Sequence, residues 1–123
     1  MANIIVWADI PVTDMDRARA FYSAVLQVPV EVMPGMDSVA LPVVNDQDSV
    51  AFDLVKHETA VPGSSSGTTI YLGANGDIEG MAKRVLEAGG RLLQPPTDMG
   101  EMVGIIGFFL DTEGNRIGIH DPH

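Results

Sequence analysis

The sequence predicts an α+β domain made of two successive βαβββ units, residues 1–60 and 67–120, within one domain spanning 1–123. Three observations carry this. The hydrophobic period switches from two to helical at Asp14 and again at Asp77. After each helix come three strand-like runs separated by turn residues. Between the repeats, the stretch 59–67 holds Pro62, Gly63, Ser64, Ser65, Ser66 and Gly67 and few core formers, so it reads as the connecting loop.

In chain order, Ile4 to Ile10 alternates and is predicted as a strand with Val6, Ala8 and Ile10 on one face and Trp7 and Asp9 on the other. Asp14 is a favourable N-cap, and Met15, Ala18, Phe21, Tyr22, Val25 and Leu26 follow at helical spacing, predicting a helix from Met15 to Leu26. Strands are predicted at Val28 to Met33, Ser38 to Val44 and Val50 to Val55, with turns at 34–37 and 45–48. The second unit opens with a strand from Thr68 to Gly73. Asp77 then caps a helix carrying Ile78, Met81, Ala82, Val85 and Leu86, which Gly89-Gly90 ends. Strands follow at Arg91 to Gln94, broken by Pro95-Pro96, then at Val103 to Leu110 and at Arg116 to His120 after a turn over 111–115.

Composition removes several classes of function. There is no cysteine, which excludes disulfides, zinc–thiolate sites and thiol nucleophiles. Seven Lys and Arg against 17 Asp and Glu give a net charge of −10, which repels phosphate backbones and anionic lipid surfaces, so neither nucleic acid nor membrane is expected as a partner. The first residues lack a basic lead and a small-residue cleavage site, and nowhere do eighteen apolar residues run together. The expected location is cytoplasmic.

Three fragments together carry a family resemblance: Ile10-Pro11-Val12-Thr13-Asp14-Met15-Asp16-Arg17-Ala18 followed by Phe21-Tyr22 and Val25-Leu26; Asp77-Ile78-Glu79 leading to Ala88-Gly89-Gly90; and residues 111–120, beginning Asp111-Thr112-Glu113-Gly114-Asn115. In this order the chain resembles the vicinal oxygen chelate superfamily of glyoxalases, bleomycin-resistance proteins and extradiol dioxygenases. The resemblance spans essentially the whole chain. It implies that the strands form one curved, cup-like mixed sheet with the helices on its outer face, and that two chains pair as a homodimer. The same fragments have a scaffold reading: a helix cap at Asp14, filling of the helix–sheet layer by Phe21 and Tyr22, and hairpin chemistry at Glu113-Gly114-Asn115. Gln27 stands where the family usually has glycine.

Many members of that family hold a divalent metal through a His or Gln on the first strand and a Glu on the last strand of each unit. The resemblance places those positions at Trp7, Ile70, Asp53 and Gly118, with Thr69 or Tyr71 replacing Ile70 if 74–76 carries an extra residue. Only Asp53 is a metal-ligand type, so no bound metal and no cofactor are expected. A displaced site from Asp53, His57 and His120 is the remaining route; His123 is expected to be frayed.

With a cup-shaped sheet, Trp7, Asp9, Asp53, His57, Ile70, Gly118 and His120 are the candidate ligand-binding residues. Trp7 offers a flat apolar wall. Asp9 and Asp53 either share the concave space and raise one another's pKa, or Asp9 simply accepts hydrogen bonds at the rim. The favoured expectation is a small-molecule-binding protein whose ligand is planar and neutral or cationic. The alternative is a lyase, isomerase or dioxygenase of the same superfamily working through an atypical metal or acid–base site, and catalytic residues are not assigned.

Overall fold

The computed structural model describes residues 5, 7–44, 50–58, 60–63 and 67–122. The elements run β1 (Trp7–Pro11), α1 (Met15–Leu26), β2 (Val30–Met33), β3 (Met36–Pro42) and β4 (Ala51–Val55). The second unit repeats them as β5 (Tyr71–Gly73), α2 (Ile78–Glu87), β6 (Arg91–Asp98), β7 (Ile105–Leu110) and β8 (Arg116–Asp121). The βαβββ order therefore occurs twice. The expected turn at 45–48, the Ser64–Ser66 part of the connecting loop and His123 lie outside the described residues.

Each unit folds its strands the same way. The sheet orders are β1-β4-β3-β2 and β5-β8-β7-β6, with the first strand of each unit parallel to its last and the other neighbours antiparallel. Among the described residues the strands pair as two four-stranded mixed sheets, one from each unit, in the expected α+β architecture. The two units are tied together where Asn115 Nδ2 donates to the Pro11 carbonyl at 2.7 Å. β5 is only three residues long, because Thr68 to Ile70 lie outside it.

One core serves both units. Its fully buried side chains include Ile10, Val12, Phe21, Tyr22, Val25 and Leu54 from the first unit and Val85, Phe109 and Ile119 from the second. α1 turns Met15, Ala18, Phe21, Tyr22 and Val25 inward, as its spacing requires, and α2 does so with Ile78, Met81, Ala82 and Val85. The Phe21 ring reaches across to Phe109, 5.8 Å between centroids. Gly90 makes this closeness possible: a Cβ there would come within 3 Å of the Leu110 carbonyl, Val85 and Phe21.

Both predicted N-caps are present, with Asp14 accepting from the Arg17 N–H and Asp77 from the Gly80 N–H. α1 ends on Gln27 in the left-handed region (φ 59°), the position where glycine was the expected type. The break expected at Pro95-Pro96 does not occur, and β6 runs through both prolines. The reason is that β6 is a sheet edge with irregular register on either side of Gln94, where a missing N–H costs no ladder bond.

Candidate functional site

Strand alternation sets the two faces. In β1, Ile10 is buried and Ala8 packs on the core, while Trp7 and Asp9 are exposed on the face turned from the helices. In β4, Phe52 and Leu54 are buried and Asp53 and Val55 take the other face. The parallel register pairs Asp9 directly with Asp53, so the two carboxylates are cross-strand neighbours. Partial burial, and then the charge of Asp9, raise the Asp53 pKa above the ordinary aspartate value.

Between the unpaired edges of β1 and β5 lies an open groove of about 1280 Å³. Trp7 stands on one wall, 63% exposed, and Tyr71 on the other, 49% exposed. Ile70, partly buried against the core, also reaches the groove. Tyr71 holds the open-face place of β5 because its register partner is Gly118, while Leu72 is buried against Ile119. Asn75 and Gly76, both at positive φ, absorb an extra residue before α2 and shift the strand by one position. Gly118 is itself covered: the Tyr71 ring lies where a Cβ of residue 118 would stand. The same ring packs edge-on to Phe108, with centroids 5.6 Å apart.

Of the seven expected residues, Trp7, Asp9 and Ile70 line the groove. Asp53 sits one strand further in, beside Asp9. His120 is on β8, with Nε2 2.7 Å from the Val103 carbonyl, and His57 follows β4, where it forms a bridge with Ala60. The structure does not assemble Asp53, His57 and His120. Among the described residues no three His, Asp or Glu side chains converge as metal ligands. The observed register sets Asp53 against Asp9 and Gly118 against Tyr71, so Tyr71 is the counterpart of Asp9 and Thr69 that of Trp7; of Trp7, Thr69, Asp53 and Gly118 only Asp53 is a metal-ligand type.

Arg116 is a groove residue that sequence reasoning passed over. The signal was available, since Arg116 alternates in phase with Gly118 and His120. Its guanidinium carbon lies 4.0 Å from the centroid of the Phe108 ring, and Nη1 donates to Thr69 Oγ1 at 2.8 Å. Asp9 and Arg116 are the only formally charged residues among the described groove lining.

The motif 111–115 proves to be a clasp between the units. Asp111 accepts from the Glu113 and Asn115 N–H groups through Oδ1, and from the Tyr22 hydroxyl and Asn115 Nδ2 through Oδ2. Glu113, whose side chain is wholly covered, accepts from the Thr13 and Asp14 N–H groups and from both Nε and Nη2 of Arg17. Burial pushes its pKa up, but the Arg17 guanidinium, the two N–H groups and the Thr13 hydroxyl outweigh it and hold the carboxyl at about 2.

Comparison with known proteins matches residues 4–119 to the family described as Glyoxalase/Bleomycin resistance protein/Dioxygenase superfamily. No curated protein sequence matches the chain significantly. Among solved structures, a glyoxalase/bleomycin resistance protein from Albidiferax ferrireducens T118 superposes with a TM-score of 0.78 at 18% identity, over 95% of this chain and 98% of that one. TnmS3, an antibiotic binding protein from Streptomyces sp. CB03234, gives 0.68 at 22% identity, over 98% and 97%. The fosfomycin resistance protein FosX from Mesorhizobium loti gives 0.67 at 16% identity, over 100% and 94%. At these identities the likeness is one of fold.

Proposed function

We propose, from the premise that the chain belongs to the glyoxalase/bleomycin resistance protein/dioxygenase superfamily, that it is a small-molecule-binding protein whose ligand is a planar organic molecule, neutral or cationic where it meets the first unit. The observation that carries this is Trp7: a large aromatic ring left 63% exposed on the wall of a groove that the exposed Tyr71 also lines. Exposed aromatic surface gains free energy when a flat apolar partner covers it. Asp9 beside Trp7 adds a carboxylate that takes no hydrogen bond from any described residue, and a cationic ligand group would pair with it. The antibiotic-binding and resistance names of two structural relatives fit a role in sequestering such a molecule.

The test is a fluorescence titration. Trp7 is the only tryptophan, so any change in emission reports on one place. Cationic aromatics are expected to quench or shift it, with weaker binding in Asp9→Asn and in a Trp7→Phe protein followed by calorimetry. Emission that no aromatic cation changes, with unaltered heats in Trp7→Phe, sinks the proposal.

One observation favours a second reading as a metal-free acid–base enzyme. The Asp9–Asp53 pair holds two carboxylates side by side, one with a raised pKa, and such a pair can give and take a proton. This reading requires a substrate to reach Asp53, and turnover lost in Asp53→Asn would distinguish it. We further propose that the chain works in the cytoplasm as a homodimer of two-fold symmetry, the open edges of β1 and β5 being available to a second copy. A monomer in sedimentation at micromolar protein counts against the dimer. No helix among the described residues is long and apolar enough to cross a membrane.

A further inference from the structure

The groove has charges of opposite sign on its opposing walls. Asp9 stands on β1 in the first unit and Arg116 on β8 in the second, and they are not in ion-pair contact with each other. Nor does any described carboxylate lie within ion-pair distance of Arg116, in contrast to Arg17, Arg19 and Arg84. In a protein of net charge −10 with seven basic residues, Arg116 is the one basic residue among the described groove lining.

Its conformation is fixed without being satisfied. The Phe108 ring supports one face of the guanidinium and Thr69 Oγ1 takes Nη1, which leaves the Nε and Nη2 donors without a partner among the described residues. That edge is the one arginine presents for two parallel hydrogen bonds to a carboxylate. Because the plane is already held, less side-chain freedom is lost when an anion docks.

We infer that Arg116 is a specificity-determining residue that takes the carboxylate of a dipolar aromatic ligand, whose cationic end faces Asp9 and whose ring lies between Trp7 and Tyr71. This rests on the groove being the ligand site, as proposed above, and deepens it by naming the ligand class: a net-neutral aromatic zwitterion. A simple anion lacks the group that Asp9 would pair with and meets the repulsion of the acidic chain. A simple cation leaves Arg116 uncompensated.

The test is calorimetry with three probes of one shape: aminomethyl-naphthoic acid, its carboxamide, and methyl-naphthoic acid. The zwitterion is expected to bind tightest, at least roughly tenfold better than its amide, because a charge-assisted pair of hydrogen bonds is lost. Removing the amine should weaken binding only about threefold, since Asp9 is exposed. In Arg116→Gln the acid and amide should bind alike, and Arg116→Lys, which keeps the charge without the fork, should retain part of the difference. Matching thermal melts establish that both variants fold. An acid that binds no better than its amide, or a gap that survives Arg116→Gln, overturns the assignment while leaving the Trp7 site standing. If none of the three probes binds the unaltered protein, both readings fall.

Discussion

The hydroxyl of Tyr22, in the middle of the first helix, lies 2.6 Å from Oδ2 of Asp111, which opens the last hairpin turn 89 positions later. The bond joins the two units inside their shared core. Burial, and then the Asp111 charge, push the phenol well above its ordinary pKa of 10, so it remains a donor throughout the working range of pH. Tyr22→Phe keeps the ring packing against Phe21 and Phe52 and removes one of the four bonds to Asp111. The expected loss in urea unfolding is about 1.5–3 kcal/mol, the range for a hydrogen bond to a charged group. Asp111→Ala should cost more, because it strands the hydroxyl and two turn N–H groups at once.

Glu113 gives the chain a particular acid sensitivity. Its folded pKa of about 2 lies below the ordinary 4.5, so its contribution is fully present above pH 4.5 and is lost as pH falls towards 2. A shift of this size corresponds to about 3 kcal/mol at most. Stability measured at a series of pH values should decline across that window in the unaltered protein. In Glu113→Gln the decline should be shallower from a lower plateau, and an unchanged slope would remove Glu113 as the cause.

Gln27 ends the first helix at φ 59° and ψ 32°, where a side chain crowds the backbone. Its N–H bonds the Ser23 carbonyl, which glycine would preserve. Gln27→Gly is therefore expected to stabilise the protein by up to about 1 kcal/mol, since relief of left-handed strain exceeds the added freedom of the unfolded chain. A lower unfolding midpoint in this variant would show that the Gln27 side chain makes a contribution the strain does not outweigh.

What the sequence made legible follows from what is local. The caps at Asp14 and Asp77, the faces of both helices and the alternation of Trp7 and Asp9 against Ala8 and Ile10 depend on neighbours within one or two turns, and the structure has them as expected. The passage of β6 through Pro95 and Pro96 was not legible, because it depends on β6 being an edge, a property of the whole sheet. That Tyr71 takes the open face and Ile70 packs against the core follows from one extra residue around Asn75 and Gly76, since a slip of one position reverses a strand's faces. The bond from Asn115 to the Pro11 carbonyl, which ties the two units, joins residues 104 positions apart and is encoded by no local pattern. Arg116 was readable from alternation alone. Its partners Phe108 and Thr69 come from two other segments and appear only once β5, β7 and β8 are side by side.

Asp53 should act on stability in the opposite sense to Glu113. Its folded pKa lies above the ordinary 3.8, because burial and the adjacent Asp9 disfavour its charge. The folded state therefore binds the Asp53 proton more tightly than the unfolded chain does. Stability from this group is fully present below pH 3.8 and is lost as pH rises through the raised folded value. Asn has no charge to hold beside Asp9, so Asp53→Asn escapes that loss. Thermal melts of the two proteins should then differ more in favour of Asn at pH 7 than at pH 3, where Asp53 is largely protonated in both states. Comparing the difference at two pH values cancels the effect of exchanging a hydroxyl for an amide, which is the same at both. An Asp9→Asn protein should show a smaller version of this shift, because it removes the neighbouring charge while leaving the burial of Asp53 in place. If Asp53→Asn changes stability equally at pH 3 and pH 7, the carboxylates of Asp9 and Asp53 are electrostatically independent, and the pair has no proton to share with a ligand or a substrate.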